Sequence, residues 1–283
     1  MRKLNIAIIG LGNIGCYLFK YLNDNKKILI KKNNCLPVIK YVSAKNKKKK
    51  KNIKIKKGQW LKNYLSATKL KDVDLIIELI GGAEGPAKKL VFEALKNKKH
   101  VVTANKALIA KYGDQLSTIA EKNKVNLEFE ASVCGGVPII RALKEGLIAN
   151  KIFKIYGIFN GTSNYILSSM EKQNKSFEEV LSNAKKLGYA EANPTADLNG
   201  DDVSSKLKIL SSLCFNSFLN NNIYVEGIKN IDKTDIDNAN KLGFKIKLLG
   251  YAELLNNKIY QRVHPTLIKK DSYVASIDGV LNA

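Results

Sequence analysis

The chain has 283 residues, 45% of them hydrophobic, with 48 Lys and Arg against 25 Asp and Glu for a formal net charge of +23. That length accommodates two ordinary domains, and no run of about 18 apolar residues exists to span a membrane. The basic residues are nearly all lysine, arginine occurring only at Arg2, Arg141 and Arg262. The charge therefore points to compositional bias and salt-sensitive, non-specific attraction, because a base-reading surface usually recruits arginine forks.

Residues 4–10 (LNIAIIG) read as a short buried strand ending at glycine, and 11–25 as a helix with Ile14, Leu18 and Leu22 on one stripe. A second strand fits 36–43, followed by a solvated loop over the lysine run at 47–51. An apolar strand fits 73–80, a helix opening at Pro86 fits 86–97, a strand fits 100–103, a helix 107–123 and a strand 125–131. Strands alternating with helices at this spacing predict a Rossmann-type, doubly wound parallel sheet in a dinucleotide-binding domain over 1–132.

From about residue 133 the texture changes to an α+β domain, 133–283. Helices fit 137–149, 163–173, 177–187 and 201–216, with Ser176 as a cap. A strand fits 152–159, and strands or strand–helix mixtures fit 224–231, 244–254 and 258–264. The apolar run after Met1-Arg2-Lys3 ends in glycines with no small-residue cleavage site, which argues against export. Four scattered cysteines without a CxxC pair, and only two histidines, fit reduced thiols in the cytoplasm and argue against zinc or a histidine triad.

Gly10-Leu11-Gly12-Asn13-Ile14-Gly15 satisfies GxGxxG between a strand and a helix. Gly10 permits the tight turn, and Gly12 lets the backbone approach a pyrophosphate at the helix N-terminus. Gly15 allows the helix to pack closely on the strand. Past the second strand an NAD site usually offers a carboxylate to the ribose; here stand Ser43, Ala44 and Lys45. NADP(H) is favoured over NAD(H), unless these lysines merely belong to a surface loop.

Lys106 sits where a parallel strand gives way to a helix, the edge that faces the ligand crevice. On spacing alone it also reads as one more surface lysine. Residues 128–138 (EFEASVCGGVP) make an irregular strand exit whose carbonyls, with a carboxylate, would suit a hard cation. Between Lys186 and Lys206, Glu191, Asp197, Asp201 and Asp202 surround a turn-rich segment. Asp202 and Lys206 share one helix face one turn apart. Such a loop suits a small cationic or zwitterionic ligand.

Taken together the chain resembles the homoserine dehydrogenase family. The resemblance rests on GLGNIG, ELIGG at 78–82, VVTANKALIA at 101–110, EASVCGGVPII at 130–140, GIFNGTSNYIL at 157–167 and GYAEANPTADLNGDDVSSK at 188–206. It implies NAD(P)H-dependent reduction of L-aspartate 4-semialdehyde to L-homoserine. It further implies Lys206 as proton donor and Lys106 as a second catalytic lysine. Glu191 would hold the substrate amino group, with Tyr189, Asp197, Asp202 and Thr162 shaping the pocket. Gly10, Gly12, Asn13, Ile14, Gly15, Lys45, Lys106 and Gly188 would contact the cofactor. Glu130 with the carbonyls of Val133, Gly135 and Val137 would bind a monovalent cation, usually sodium, and the chain would form a homodimer.

Two departures qualify the resemblance. Asn193 replaces the family's aspartate in GYAEADP, which predicts a tuned pocket. After VASIDGVLNA at 274–283 the family continues into further strands and a glycine-rich return to the nucleotide domain. The expectation is a C-terminally short member or fragment, with dinucleotide binding without turnover as the alternative to a working dehydrogenase.

Overall fold

The computed structural model describes residues 1–46, 53–217 and 222–283. The lysine run at 47–51 lies outside the described residues. The chain divides into two compact units, Met1–Ser132 and Val133–Ala283.

In the first unit, β1 (Arg2–Ile9), β2 (Cys35–Ser43), β3 (Leu75–Glu78), β4 (His100–Thr103) and β5 (Leu127–Glu128) form one parallel sheet in the order β2-β1-β3-β4-β5. The chain leaves β1 in one direction to form β2 and returns on the other side to form β3. Between β1 and β3 the winding reverses, and the carboxyl ends of these strands open a crevice there. Ile6, Ala7, Ile8 and Ile9 are buried, as a strand covered on both faces requires.

The connections are α1 (Asn13–Asp24), α2 (Lys26–Asn33), α3 (Pro86–Lys96) and α4 (Lys106–Asn123), with a 3₁₀ turn at Tyr64–Thr68. On α1, Gly15 and Phe19 are buried and Leu18 and Leu22 pack against the core, as two of the three residues of the predicted stripe should, while Ile14 is 65% exposed. The sequence reading missed α2, because KKILIKKN has no strong apolar face and buries none of its residues. The strand predicted at 125–131 shortens to β5 because the backbone turns into a 3₁₀ turn at Glu130–Ser132.

The second unit contains β6 (Lys154–Gly157), β7 (Tyr224–Val225), β8 (Phe244–Leu255) and β9 (Lys258–Lys269) in a mixed sheet ordered β6-β8-β9-β7. β8 and β9 are antiparallel and joined by Asn256 and Asn257, both in the left-handed region at φ 49 and 59. That is the geometry of a two-residue type I′ hairpin, which asparagine tolerates. The helical pieces are α5 (Ile139–Arg141), α6 (Gly161–Gln173), α7 (Phe177–Lys186), α8 (Thr195–Asn199), α9 (Asp201–Phe215), α10 (Lys233–Lys241) and α11 (Tyr273–Ser276).

The helix predicted over 137–149 is replaced by the three-residue α5 and a π-helical turn at Ala142–Gly146. Left-handed backbone at Cys134 and Gly136 precedes it. Of the strand or strand–helix mixture predicted over 224–231, only the two residues of β7 are a strand, and α10 follows, opened by a reciprocal capping box of Asp232 and Asp235. Ser176 caps α7 as expected, in a capping box with Glu179.

Lys247 on β8 is among the most buried side chains of this unit, at 1% exposure. The three N–H groups of its ammonium are shared among four acceptors, Ile277 O at 2.6 Å, Asp278 Oδ1 at 2.9 Å, Asn164 Oδ1 at 3.0 Å and Ser168 Oγ at 3.3 Å. These bonds tie α6 and β8 to the segment that ends the chain. There Ala283 and Ile158 exchange backbone hydrogen bonds of 3.0 and 2.7 Å.

Candidate active site

The first unit builds a phosphate cradle from glycines under different constraints. Gly10 turns at φ 112, and a Cβ on it would stand 2.4 Å from the Leu79 carbonyl oxygen. A Cβ on Gly15 would stand 2.0 Å from the Gly10 carbonyl oxygen. Around Gly12, by contrast, nothing lies within 4 Å of where a Cβ would be. Gly12 begins α1 without a side-chain cap. The N–H groups of Asn13, Ile14 and Gly15 therefore open the helix without a capping acceptor, at its positive end. These residues fit a pyrophosphate.

At the end of β2, Ser43 is consumed by the fold. Its hydroxyl donates to Leu61 O at 3.0 Å and its carbonyl accepts the Gly10 N–H at 2.8 Å. Lys45, two residues on, is exposed. Glu78, which sequence reading passed over inside ELIGG, is completely buried at the end of β3. Its carboxylate accepts the N–H groups of Ile80 (2.7 Å) and Gly81 (3.0 Å) and the Thr103 hydroxyl. Asn105 caps α4 through Leu108 N at 3.1 Å and donates to Gly82 O at 2.8 Å. The loops after β3 and β4 are thus braced together. Lys106 follows Asn105 at the first position of α4. A cation at a helix N-terminus opposes the dipole, so helix stability does not account for it.

In the second unit Lys206, Asp202 and Asp197 meet at the exit of β6. Lys206 Nζ donates to Asp202 Oδ2 at 2.7 Å and to Phe159 O at 2.5 Å. The side chains are 14% and 4% exposed. An ammonium carries three donors, and these two bonds leave one N–H for an external acceptor. Asn160, also buried, donates from its single amide nitrogen to Asp197 Oδ1 at 2.7 Å and Asp202 Oδ2 at 2.8 Å. Its oxygen accepts the Ser163 N–H at 2.7 Å and caps α6. No signal in the sequence pointed to the two carboxylates.

Thr162 and Tyr189 are joined, the threonine hydroxyl donating to Tyr189 O at 2.8 Å. The Tyr189 ring meets Tyr165 edge-on at 5.0 Å. Gly188 ends α7 at φ 74, with the Gly188 N–H on Lys185 O and the Tyr189 N–H on Ala184 O, a Schellman closure. That aims the 189–191 segment, on which Glu191 is exposed. Asn193 accepts both the N–H and the hydroxyl of Thr195 with Oδ1, at 3.3 and 2.6 Å. It keeps the acceptor role open to an aspartate there while lacking its charge.

The candidate cation ligands divide between the units, Glu130 in the first and Val133, Gly135 and Val137 in the second. Left-handed backbone at Cys134 (φ 48) and Gly136 (φ 91) keeps 133–137 out of any strand ladder. The Val137 carbonyl accepts the Ile139 N–H at 2.8 Å, which uses one of its two lone pairs. Carbonyls on such a backbone fit a hard monovalent ion. Among the described residues no group of three or more His, Cys, Asp or Glu is arranged to hold a metal. Burial pushes the Cys134 thiol up, the charge of Lys206 opposing and that of Asp202 adding to the effect.

Two family models match the chain: homoserine dehydrogenase over residues 138–283, and homoserine dehydrogenase, NAD binding domain, over 10–130. The chain is similar to a homoserine dehydrogenase of Neisseria gonorrhoeae, 43% identical over 100% of this chain and 65% of that protein. The structure of a homoserine dehydrogenase from Thiobacillus denitrificans superposes with TM-score 0.94 at 40% identity, covering 100% of this chain and 65% of the other. That of S. aureus homoserine dehydrogenase gives TM-score 0.86 at 40% identity, over 99% of this chain and 69% of the other. The chain thus spans about two thirds of the length of these relatives.

Proposed function

Because the chain belongs to the homoserine dehydrogenase family, we propose that it reduces L-aspartate 4-semialdehyde reversibly to L-homoserine with NAD(P)H, a step toward threonine and methionine. One observation carries the reading: a shielded ammonium, that of Lys206, held by a carboxylate and a backbone carbonyl with one N–H to spare.

When bound, the reduced nicotinamide supplies the hydride. As the aldehyde oxygen gains negative charge, the spare N–H of Lys206 stabilises it and delivers the proton. Asp202 fixes the direction of that ammonium from one helical turn away. Glu191 holds the substrate amino group, with Tyr189, Thr162, Asp197 and Asp202 shaping the pocket. Lys106 serves as the second catalytic lysine and contacts the cofactor, a role supported by its position against the helix dipole. Gly10, Gly12, Asn13, Ile14 and Gly15 bind the pyrophosphate, with Gly188 a further contact and Lys45 favouring the 2′-phosphate of NADP(H).

Glu130 and the carbonyls of Val133, Gly135 and Val137 hold sodium in this reading. A homodimer through the mixed sheet is supported by a cross-strand row of Tyr156, Tyr251, Arg262 and Tyr224, in which Arg262 stacks over the Tyr251 ring at 4.7 Å. Tyrosine and arginine are the residues that anchor interfaces. Sedimentation returning only a monomer at micromolar concentration would remove this part. Four free thiols accord with a reducing cytoplasm.

The test is aspartate-semialdehyde-dependent NADPH oxidation by the chain, with NADPH affinity measured separately by calorimetry. Turnover supports the proposal. Tight NADPH binding with no turnover reduces the chain to a dinucleotide binder.

A further inference from the structure

We propose that Asn160 is a positioning residue for the reaction, setting the spacing of Asp197 and Asp202 and through Asp202 the seat of Lys206; this rests on the assignment of Lys206 as proton donor. A primary amide has two N–H donors on one nitrogen. At Asn160 both are used, toward Asp197 Oδ1 at 2.7 Å on α8 and Asp202 Oδ2 at 2.8 Å on α9. The same Asp202 oxygen receives the Lys206 ammonium at 2.7 Å. The residue before it, Phe159, supplies the carbonyl that takes a second N–H of Lys206. Two consecutive residues at the exit of β6 therefore determine where the ammonium and both carboxylates stand.

The amide cannot be turned over without cost. Its oxygen accepts the Ser163 N–H at 2.7 Å, which fixes the nitrogen on the carboxylate side. Flipping it would set an oxygen against two carboxylates and break the cap. Asn164, one turn further along α6, is buried too, and its amide nitrogen bonds to Ile277 O and Leu281 O at 3.2 and 3.3 Å. The helix that begins at Asn160 is thereby anchored from behind. The charged groups coupled to the amide are Asp197 on α8 and Asp202 and Lys206 on α9, and the titratable Cys134 thiol, which burial pushes up, interacts electrostatically with the last two.

Replacing Asn160 by aspartate separates capping from positioning. Aspartate is as good an N-cap as asparagine, so α6 keeps its first turn. The two donors become negative charge beside Asp197 and Asp202, and three clustered carboxylates resist simultaneous ionisation. Asn160→Ser caps as well but supplies a single donor. In the full chain with NADPH, Asn160→Asp is expected to lower kcat/KM by about 100-fold or more and to move the acidic limb of its pH profile to higher pH. Asn160→Ser is expected to lower kcat/KM less and leave the limb in place.

A second readout does not depend on turnover. ¹³C NMR titration of the aspartate-labelled chain should show a carboxyl titrating at higher pH in Asn160→Asp than any corresponding group in wild type. The proposal is overturned if Asn160→Asp keeps kcat/KM within threefold with an unchanged profile, if its carboxyl titrations match wild type, or if both variants fail to fold, which would make the residue structural. Lys206→Ala, assayed alongside, distinguishes the two levels. If it retains full activity the proton-donor assignment fails; if it is inactive while Asn160→Asp is normal, only the role of Asn160 fails.

Discussion

Asp278→Asn isolates the buried charge network of the second unit. Asp278 accepts from Lys247 at 2.9 Å and lies 2.9 Å from Lys172 and 3.8 Å from Lys245. Burial alone would raise its carboxyl, but the hydrogen bonds from Lys172 and Lys247 outweigh it and hold the group at about 2, against an ordinary 3.8. That drop corresponds to about 2.5 kcal/mol of stability at neutral pH. The folded-state value is the lower one, so the unfolded chain binds more protons between the two. The contribution is complete above about pH 5, about half gone at pH 3, and lost below about pH 2.

Truncating a buried pair also strands its partner, here Lys247, whose ammonium burial already pushes down; such losses run about 3–5 kcal/mol. We expect Asp278→Asn to cost about 2–4 kcal/mol at pH 7 and about half as much at pH 3. Urea unfolding, with hydrogen exchange at the Ile158 and Ala283 amides reporting on the tethered segment, measures both. A loss under about 0.5 kcal/mol at pH 7, or one that is the same at pH 3, would refute the reasoning.

The glycines of the cradle should separate in a paired experiment. Gly15→Ala meets the Gly10 carbonyl oxygen and should unfold or loosen the first unit, seen as a drop in Tm. Gly12→Ala meets only open space, so it should leave Tm within a few degrees while weakening NADPH binding at least tenfold by calorimetry. Equal effects on both readouts would contradict the division of roles. Lys45→Ala should narrow an initial preference for NADPH over NADH; equal affinities in the unmodified chain would remove the preference. Replacing sodium by tetramethylammonium, too large for a carbonyl cage, should lower activity or Tm, and no change in either would remove the cation.

The dinucleotide-binding architecture was legible because its signals are local. Three glycines at fixed spacing follow a strand that is apolar on both faces, and Pro86 and Ser176 mark helix starts by their backbone chemistry. The Asp202–Lys206 pair was legible from helical periodicity alone. What escaped has no period. Glu78 and Asn160 are single buried polar residues that, besides near neighbours, bond side chains 25 and 37 to 42 positions away along the chain. Only the fold brings those donors and acceptors together.

At 137–149 the apolar spacing predicted a regular helix, but left-handed residues at 134 and 136 deliver the chain into a π-helical turn instead. Lys247 reads in the sequence as one lysine among many. Its burial depends on Asn164, Ser168 and Asp278, contributed by α6 and the last segment.

The central claim is that the Lys206 ammonium, seated on Asp202 and the Phe159 carbonyl, delivers the proton. It is tested most directly by comparing wild type and Lys206→Ala in NADPH-dependent reduction of aspartate semialdehyde, with and without added methylamine. The account predicts a fall in kcat of about 10²- to 10⁴-fold, partial rescue by the amine, and unchanged NADPH affinity. A Lys206→Ala enzyme that turns over at the wild-type rate would contradict it.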